Sequence, residues 1–81
     1  MADRSLDRRE LLRLLKKYGA WENSKRGKGS HTMYFRMVSG SKFSFPVPTH
    51  DKEVNARYVR GCRKRLKLTP DDGVTDEEFY G

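Results

Sequence analysis

The sequence predicts a two-layer α+β domain, in which two helices cover one face of a three-stranded antiparallel sheet. Two amphipathic segments, at about residues 8–18 and 55–67, repeat their apolar side chains at helical spacing. Between them lie three short runs rich in aromatic and other strand-forming residues. Because both helices must bury an apolar stripe, the order α-β-β-β-α places them on one side of the sheet and leaves the other side open.

The first helix is predicted over about residues 8–18. Asp7 is a favourable N-cap, and Glu10 has the spacing of a capping box, in which each side chain accepts a backbone N–H bond from the other residue. Gly19 is suited to the left-handed conformation that ends many helices. The apolar stripe of this helix comprises Leu11, Leu14, Leu15 and Tyr18.

Strands are predicted over residues 20–24, 32–38 and 42–47. Ser39-Gly40-Ser41 supplies the turn of an antiparallel hairpin between the second and third strands. Pro46 and Pro48 lack the N–H that a ladder bond requires, so the third strand is expected at an edge and ends near Pro48. Odd and even positions of the middle strand are equally apolar, so the pattern leaves open which of its faces meets the helices.

The second helix is predicted over about residues 55–67, before the stop signal Thr69-Pro70. Thr75 and Glu78 again have capping-box spacing, which predicts one helical turn over residues 76–80. Residues 70–81 form an acidic C-terminal tail. We expect it to act as a solubilising end rather than as a segment covering the chain's own basic surface.

The charge of the chain favours a polyanionic partner. Its 81 residues include 18 Lys and Arg against 11 Asp and Glu, a formal net charge of +7. Five of those acids and none of the bases fall in residues 69–81, so residues 1–68 carry a net charge of +12. Nucleic acid is the commonest partner for such a field. A membrane surface is the rival, but no run approaches the ~20 apolar residues of a membrane span.

Cysteine and histidine usage argues against a disulfide and against a metal site. Cys62 is the only cysteine, so no internal disulfide is expected and a cytoplasmic location is favoured. One cysteine and two histidines, His31 and His50, match no compact zinc-ligand spacing. The charged N-terminus lacks the apolar stretch of a secretory signal. No metal or other cofactor is expected, and the chain reads as a soluble single domain, residues 1–81.

Two basic segments are candidate contacts for a phosphate backbone. The loop before the middle strand contains glycines that allow backbone amides to approach a phosphate, among cations that would stabilise it. Its candidate residues are Lys25, Arg26, Lys28, Gly29 and Ser30. The second helix offers Arg57, Arg60 and Lys64, and holds more cations than one hydrated face requires. The loop can equally be a solvated connection, and the helix a surface for a protein partner.

The order of several short motifs resembles that of HicA-family toxins, the mRNA-cleaving components of bacterial HicBA toxin–antitoxin systems. The resemblance covers about residues 7–69, which we take as the core of the domain. The motifs are Glu10-Leu11-Leu12-x-Leu14-Leu15, Gly19-Ala20-Trp21, Lys28-Gly29-Ser30-His31, Pro48-Thr49-His50 with Lys52-Glu53, and Leu68-Thr69 closing a basic helix.

The resemblance implies a fold like that of a double-stranded-RNA-binding domain and a metal-independent endoribonuclease with His31 as its catalytic residue. It also implies a type II toxin–antitoxin system with a HicB-type antitoxin protein as partner. The chemistry is consistent, because cleaving RNA without metal requires a group that moves protons near neutral pH, and the ordinary pKa of histidine is ~6.5. His50 is expected to orient the loop before the second helix. The second proton-transfer group is left open among His50, a lysine and water.

Two other classes of function fit the same sequence. A non-catalytic RNA-binding module would bind duplex RNA by its shape and yield no cleavage products. A pure interaction protein would use the basic face for an acidic protein partner and show little RNA affinity at low salt. The aromatic residues of the strands, including Phe35 and Phe45, are expected mainly in the core rather than as stacking platforms for bases.

Overall fold

The computed structural model describes residues 3–23, 31–48 and 51–81. In chain order the elements are β1 Leu6–Asp7, α1 Arg8–Lys17, β2 Trp21–Asn23, β3 His31–Val38, β4 Ser41–Pro48, β5 Glu53–Val54, α2 Ala56–Arg65, a 3-10 turn Pro70–Asp72 and α3 Asp76–Tyr80. The predicted α+β class is confirmed: the sheet is antiparallel and has three strands in the order β2-β3-β4. A separate pair of short strands, β1 and β5, was not predicted.

Local signals set the limits of α1 as predicted, with one difference at its start. The Asp7 side chain accepts from the backbone N–H of Arg9 at 2.8 Å, and Gly19 has the expected left-handed φ of 83°. The predicted reciprocal bond from Glu10 is replaced, because its carboxylate instead pairs with Arg13 at 2.6 Å. The Glu10 carboxylate accepts two hydrogen bonds from the Arg13 guanidinium, and such a bidentate pair is stronger than a single bond from a backbone N–H.

The hairpin of β3 and β4 closes with a two-residue turn. Val38 pairs with Ser41, and the intervening Ser39 and Gly40 have φ of 51° and 83°. Two positive φ values are typical of the turns whose twist matches that of the flanking strands. Strand β4 lies at the edge of the sheet, as its prolines predict.

The tertiary structure decides which face of the sheet is covered. Tyr34 and Val47 are buried on one face, where Gly61 of α2 lies against the ring of Phe45. A Cβ at Gly61 would lie 3.5 Å from the Phe45 ring, which is ordinary contact. On the opposite face Trp21 remains exposed. The domain therefore has two layers, and one face of the sheet is open.

An arginine on the covered face joins the C-terminal ends of both long helices. Arg36 of β3 donates through Nε to the Tyr18 carbonyl at 3.0 Å, and through Nη1 to the carbonyls of Leu66 and Lys67 at 2.9 and 3.1 Å. The last carbonyls of a helix have no partner within it. A cation beside them is also favoured by the helix dipole.

The short ladder of β1 and β5 fixes the start of α2 beside the start of α1. Leu6 pairs with Val54, and Asp7 pairs with Glu53. The Arg8 backbone N–H also donates to the Lys52 carbonyl at 2.7 Å. Two-residue strands contain no periodic pattern, so only the meeting of distant segments reveals them.

The C-terminal segment is part of the core, which corrects the expectation of a solubilising tail after a core ending near residue 69. Phe79 of α3 is completely buried, and α3 begins with the predicted capping box of Thr75 and Glu78. Asp76 of α3 forms a 2.7 Å ion pair with the buried Arg63 of α2. The acids of this segment therefore include a structural counterion.

Candidate functional site

His31 begins β3 at the end of the sheet nearest α2's N-terminus. It pairs with Pro48 of β4 and is partly exposed. The residue borders a cavity of about 340 Å³. The cavity is lined by His31, Pro48, Asp51, Glu53, Val54, Asn55 and Tyr58.

The start of α2 supplies the opposite wall of this cavity. The Asn55 side chain accepts from the Tyr58 backbone N–H at 2.8 Å and so caps the helix. The Tyr58 ring meets the Phe45 ring edge to face, with centroids 5.3 Å apart. These contacts, with the β1–β5 ladder, hold α2's first turn beside His31.

Three further groups at the cavity can take part in proton transfer. The carboxylates of Asp51 and Glu53 are exposed, and both residues border the cavity. Burial, together with the nearby Cys62, raises the pKa of Tyr58, which makes its hydroxyl release a proton less readily than an ordinary tyrosine does. The sequence left the second proton-transfer group open and named none of these three, because their approach to His31 depends on tertiary contacts.

The structure describes only part of the predicted RNA-binding set. Lys25, Arg26, Lys28, Gly29 and Ser30 lie outside the described residues, as does His50. The helix residues of the set are Arg57, Arg60 and Lys64, all exposed. Residues three and four apart on a helix share one face, so these three form a basic stripe along α2.

Not every cation of α2 is available to a ligand. The Arg63 side chain is only 2% exposed, and its Nη1 lies 2.7 Å from Oδ1 of both Asp3 and Asp76. Its Nε donates to the Leu68 carbonyl at 2.9 Å. Arg63, which is not among the predicted RNA contacts, is therefore held in the core by these ion pairs.

A second concave surface, which we call the cationic groove, lies between β4 and the C-terminal end of α2. Its volume is about 340 Å³. It is lined by Lys42, Phe43, Ser44, Lys64, Arg65 and Lys67. Of these residues the sequence named Lys64 as a candidate contact. It did not reveal the groove, because β4 is distant in the chain and is brought beside α2 only by the packing of the helix on the sheet.

The part of the chain that the structure describes contains no cluster of three or more His, Cys, Asp or Glu side chains that could hold a metal ion. Within the same residues, no helix has the length and apolar character needed to cross a membrane. Comparison of the chain with protein-family models, with curated proteins and with solved structures finds no significant match.

Proposed function

We propose that this protein is a HicA-like toxin, an mRNA-cleaving endoribonuclease in which His31 acts as general acid or base without a metal or other cofactor. The observation that carries the proposal is the position of His31, which borders an open cavity together with other protonatable groups. The resemblance of the sequence motifs supports it, as does the α+β architecture, for which we propose a double-stranded-RNA-binding-domain-like fold.

The proposed reaction needs two proton transfers. A base removes the proton of the ribose 2′-hydroxyl, whose oxygen attacks phosphorus and forms a cyclic 2′,3′-phosphate. The bond from phosphorus to the 5′-oxygen breaks, and an acid protonates that leaving oxygen. His31 would perform one of these transfers. The Tyr58 hydroxyl and the carboxylates of Asp51 and Glu53 are the described candidates for the other.

RNA binding would come mainly from phosphate contacts. The basic stripe of Arg57, Arg60 and Lys64 begins close to the cavity, since Tyr58 of the same helix lines it. Binding by such contacts releases counterions and weakens steeply with salt. We include Lys25, Arg26, Lys28, Gly29 and Ser30 in the proposed RNA contacts on the sequence alone.

The proposal includes a cytoplasmic HicB-type antitoxin that masks the site. The net charge of +12 in residues 1–68 would suit an acidic cover. This partner follows from the resemblance of the motifs and is tested by co-purification with an antitoxin encoded beside the gene.

The test is cleavage of labelled mRNA in the presence of EDTA by the full chain and by His31→Ala. We expect the unmodified protein to release products and the variant to release none while retaining its melting temperature and RNA affinity. Met37→Ala is the matched control, because Met37 lies on the same strand, is exposed, and is distant from the cavity. Full activity of His31→Ala would remove the assigned role.

A second candidate function, a non-catalytic RNA-binding module of the same fold, is favoured by the acids at the cavity. Asp51 and Glu53 would repel a phosphate group placed beside His31. This module would bind duplex RNA and yield no cleavage products at any pH. The EDTA experiment distinguishes the two functions, since only the ribonuclease generates products.

A further inference from the structure

We propose that the cationic groove binds the phosphate backbone of RNA at a site separate from the His31 cavity. This inference rests on the proposed function in taking RNA as the partner, and it adds Arg65 and Lys67 to the residues that contact it. The groove's cations are Lys64, Arg65 and Lys67 at the end of α2, and Lys64 and Arg65 are exposed.

The cations of the groove are not neutralised within the described part of the chain. Its ion pairs use Arg13, Arg60 and Arg63, and none uses a cation of the groove. Asp72 is the acid whose charge interacts with a cation of the groove. Its pKa is lowered most by hydrogen bonds from Thr69, and the charge of Lys67 lowers it further. The Asp72 carboxylate is engaged by Thr69 Oγ1 at 2.7 Å. The groove therefore keeps a concentrated positive charge.

Stabilisation of the α2 C-terminus does not account for these cations. Basic residues in a last turn often serve the exposed carbonyls and the helix dipole. Here Arg36 donates to the carbonyls of Leu66 and Lys67, and backbone N–H groups engage those of Cys62, Arg63 and Lys64. The charged groups of Lys64 and Arg65 form no hydrogen bond with the described residues. Their positive charges remain available to an external anion.

The floor of the groove holds one cation in place. Lys67 Nζ lies 5.1 Å from the centre of the Phe43 ring, within the range of a cation–π interaction. Lys42 also lines the groove, but its Nζ lies 5.0 Å from the centre of the Phe35 ring on the open face, so it is not counted among the groove's cations. The contact with Phe43 restrains the Lys67 ammonium group and lowers the entropy that is lost when an anion binds in the groove.

The groove and the cavity lie at opposite ends of β4. Lys42 pairs with Met37 near the hairpin turn, whereas Pro48 pairs with His31. Lys42 and Pro48 are six residue steps apart along the strand, a distance of ~20 Å at ~3.4 Å per residue. The basic stripe of α2 runs between the two sites. An RNA strand bound at His31 would follow this stripe and end at the groove.

The composition of the groove favours nucleic acid over a protein partner. The centres of protein interfaces are depleted in lysine and enriched in apolar and aromatic area. Here four of the six lining residues are cations, and Phe43, the one aromatic among them, lies against Lys67. Contacts to phosphate need this pattern of accessible positive charge.

The test compares two double variants with equal loss of charge. Arg65→Gln/Lys67→Gln removes two cations of the groove, and Arg9→Gln/Lys16→Gln removes two exposed cations of α1 that form no ion pair with the described residues. Each contact to single-stranded RNA adds ~0.7 to the slope of log affinity against log salt. We expect the groove variant to lower that slope by ~1.4 and the control variant to leave it unchanged, with a single-stranded RNA of 20 nucleotides as the probe.

The outcomes separate the groove from the proposed function. If circular dichroism shows both variants folded and their slopes are equal, the inference that the groove binds RNA is overturned. Cleavage by the unmodified protein would still support the ribonuclease in that case. A groove effect on binding with no cleavage by the unmodified protein would support the groove and remove the ribonuclease. A groove variant that binds RNA as the control does but loses affinity for polyglutamate would assign the groove to an acidic protein and overturn the inference.

Discussion

Arg63 Nη1 and Asp76 Oδ1 lie 2.7 Å apart, so an interior cation of α2 is neutralised by an acid of the C-terminal segment. The same nitrogen lies 2.7 Å from Oδ1 of Asp3. The guanidinium carbon also sits 4.5 Å from the centre of the Phe79 ring. Tyr80 completes the cluster by donating its hydroxyl to Asp3 at 2.6 Å. This cluster fastens both ends of the chain to α2.

Replacing Arg63 should therefore destabilise the protein strongly. Arg63→Met leaves Asp3 and Asp76 without their cation, and breaking a buried ion pair on one side costs ~3 kcal/mol or more. Urea unfolding would measure the change in the free energy of unfolding. The matched control is Arg60→Met, because Arg60 is 65% exposed and its contact with Asp3 is 3.9 Å long. A similar loss for both variants would contradict the structural role of Arg63.

The buried ring of Phe79 should stabilise the folded protein as much as aromatic residues stabilise other protein cores. Phe79→Ala removes a side chain with 0% exposure, and such truncations cost ~3–5 kcal/mol. Glu77→Ala, in the exposed part of α3, is expected to change the free energy of unfolding by less than ~0.5 kcal/mol. Equal melting temperatures for Phe79→Ala and the unmodified protein would restore the solubilising role first expected for this segment.

The same cluster should make stability depend on pH in acid. Burial by itself would raise the pKa of Asp3, but hydrogen bonds from Tyr80 and Arg63 and the charge of Arg63 hold it below the ordinary 3.8. A carboxylate with a lowered pKa in the folded state contributes stability above its unfolded pKa and loses it as the pH falls through the folded value.

We therefore expect Asp3→Asn to be less stable than the unmodified protein at pH 7, with the difference shrinking below about pH 4. Thermal melting between pH 7 and pH 2 would measure it. Asp71→Asn, at an exposed position, is the control. A difference that is constant over this range would show that the Asp3 charge does not contribute.

Arg36 should stabilise the ends of both long helices through its fork of donors. Arg36→Met removes three hydrogen bonds to carbonyls, and we expect a loss of ~2 kcal/mol. Arg36→Lys should recover part of it, since an ammonium group cannot reproduce the planar fork. Met37→Gln, on the open face of the same strand, is the control. Urea unfolding of the four proteins would check this order.

Arg57 should contribute one phosphate contact. Arg57→Gln is expected to lower the slope of log affinity against log salt by ~0.7 for single-stranded RNA, without changing the stability. Lys16→Gln, an equal change of charge on α1, should leave the slope unchanged. Filter binding at several salt concentrations would measure both, and an unaltered slope for Arg57→Gln would remove this residue from the proposed contacts.

Local patterns predicted most of the secondary structure. Helix α1 is predicted over residues 8–18 and observed as Arg8–Lys17, while the short α3 is found over the predicted residues 76–80. Caps and turn glycines act within a few residues of themselves, which is why these limits are visible in the sequence. Helix α2 ends earlier than predicted, at Arg65, because Lys67 adopts a positive φ of 60°.

The candidate site was predictable only in part. His31 and the exposed cations of α2 follow from motif and charge, whereas Tyr58 and Glu53 join His31 because the β1–β5 ladder brings the start of α2 to the sheet. The cationic groove has the same origin, since Phe43 and Arg65 meet only through the packing of α2 on β4.

The sequence by itself determined the helices, the hairpin, the edge position of the proline-bearing strand and the excess of positive charge. Each depends on side-chain periodicity, turn chemistry or composition, which are properties of neighbouring residues. Only the tertiary structure decided which cations are left for a ligand. Arg63 is bound by Asp3, 60 residues away, whereas Lys64 beside it remains exposed. Charge counts cannot distinguish these neighbours, because a cation's availability depends on which distant acids the fold places against it.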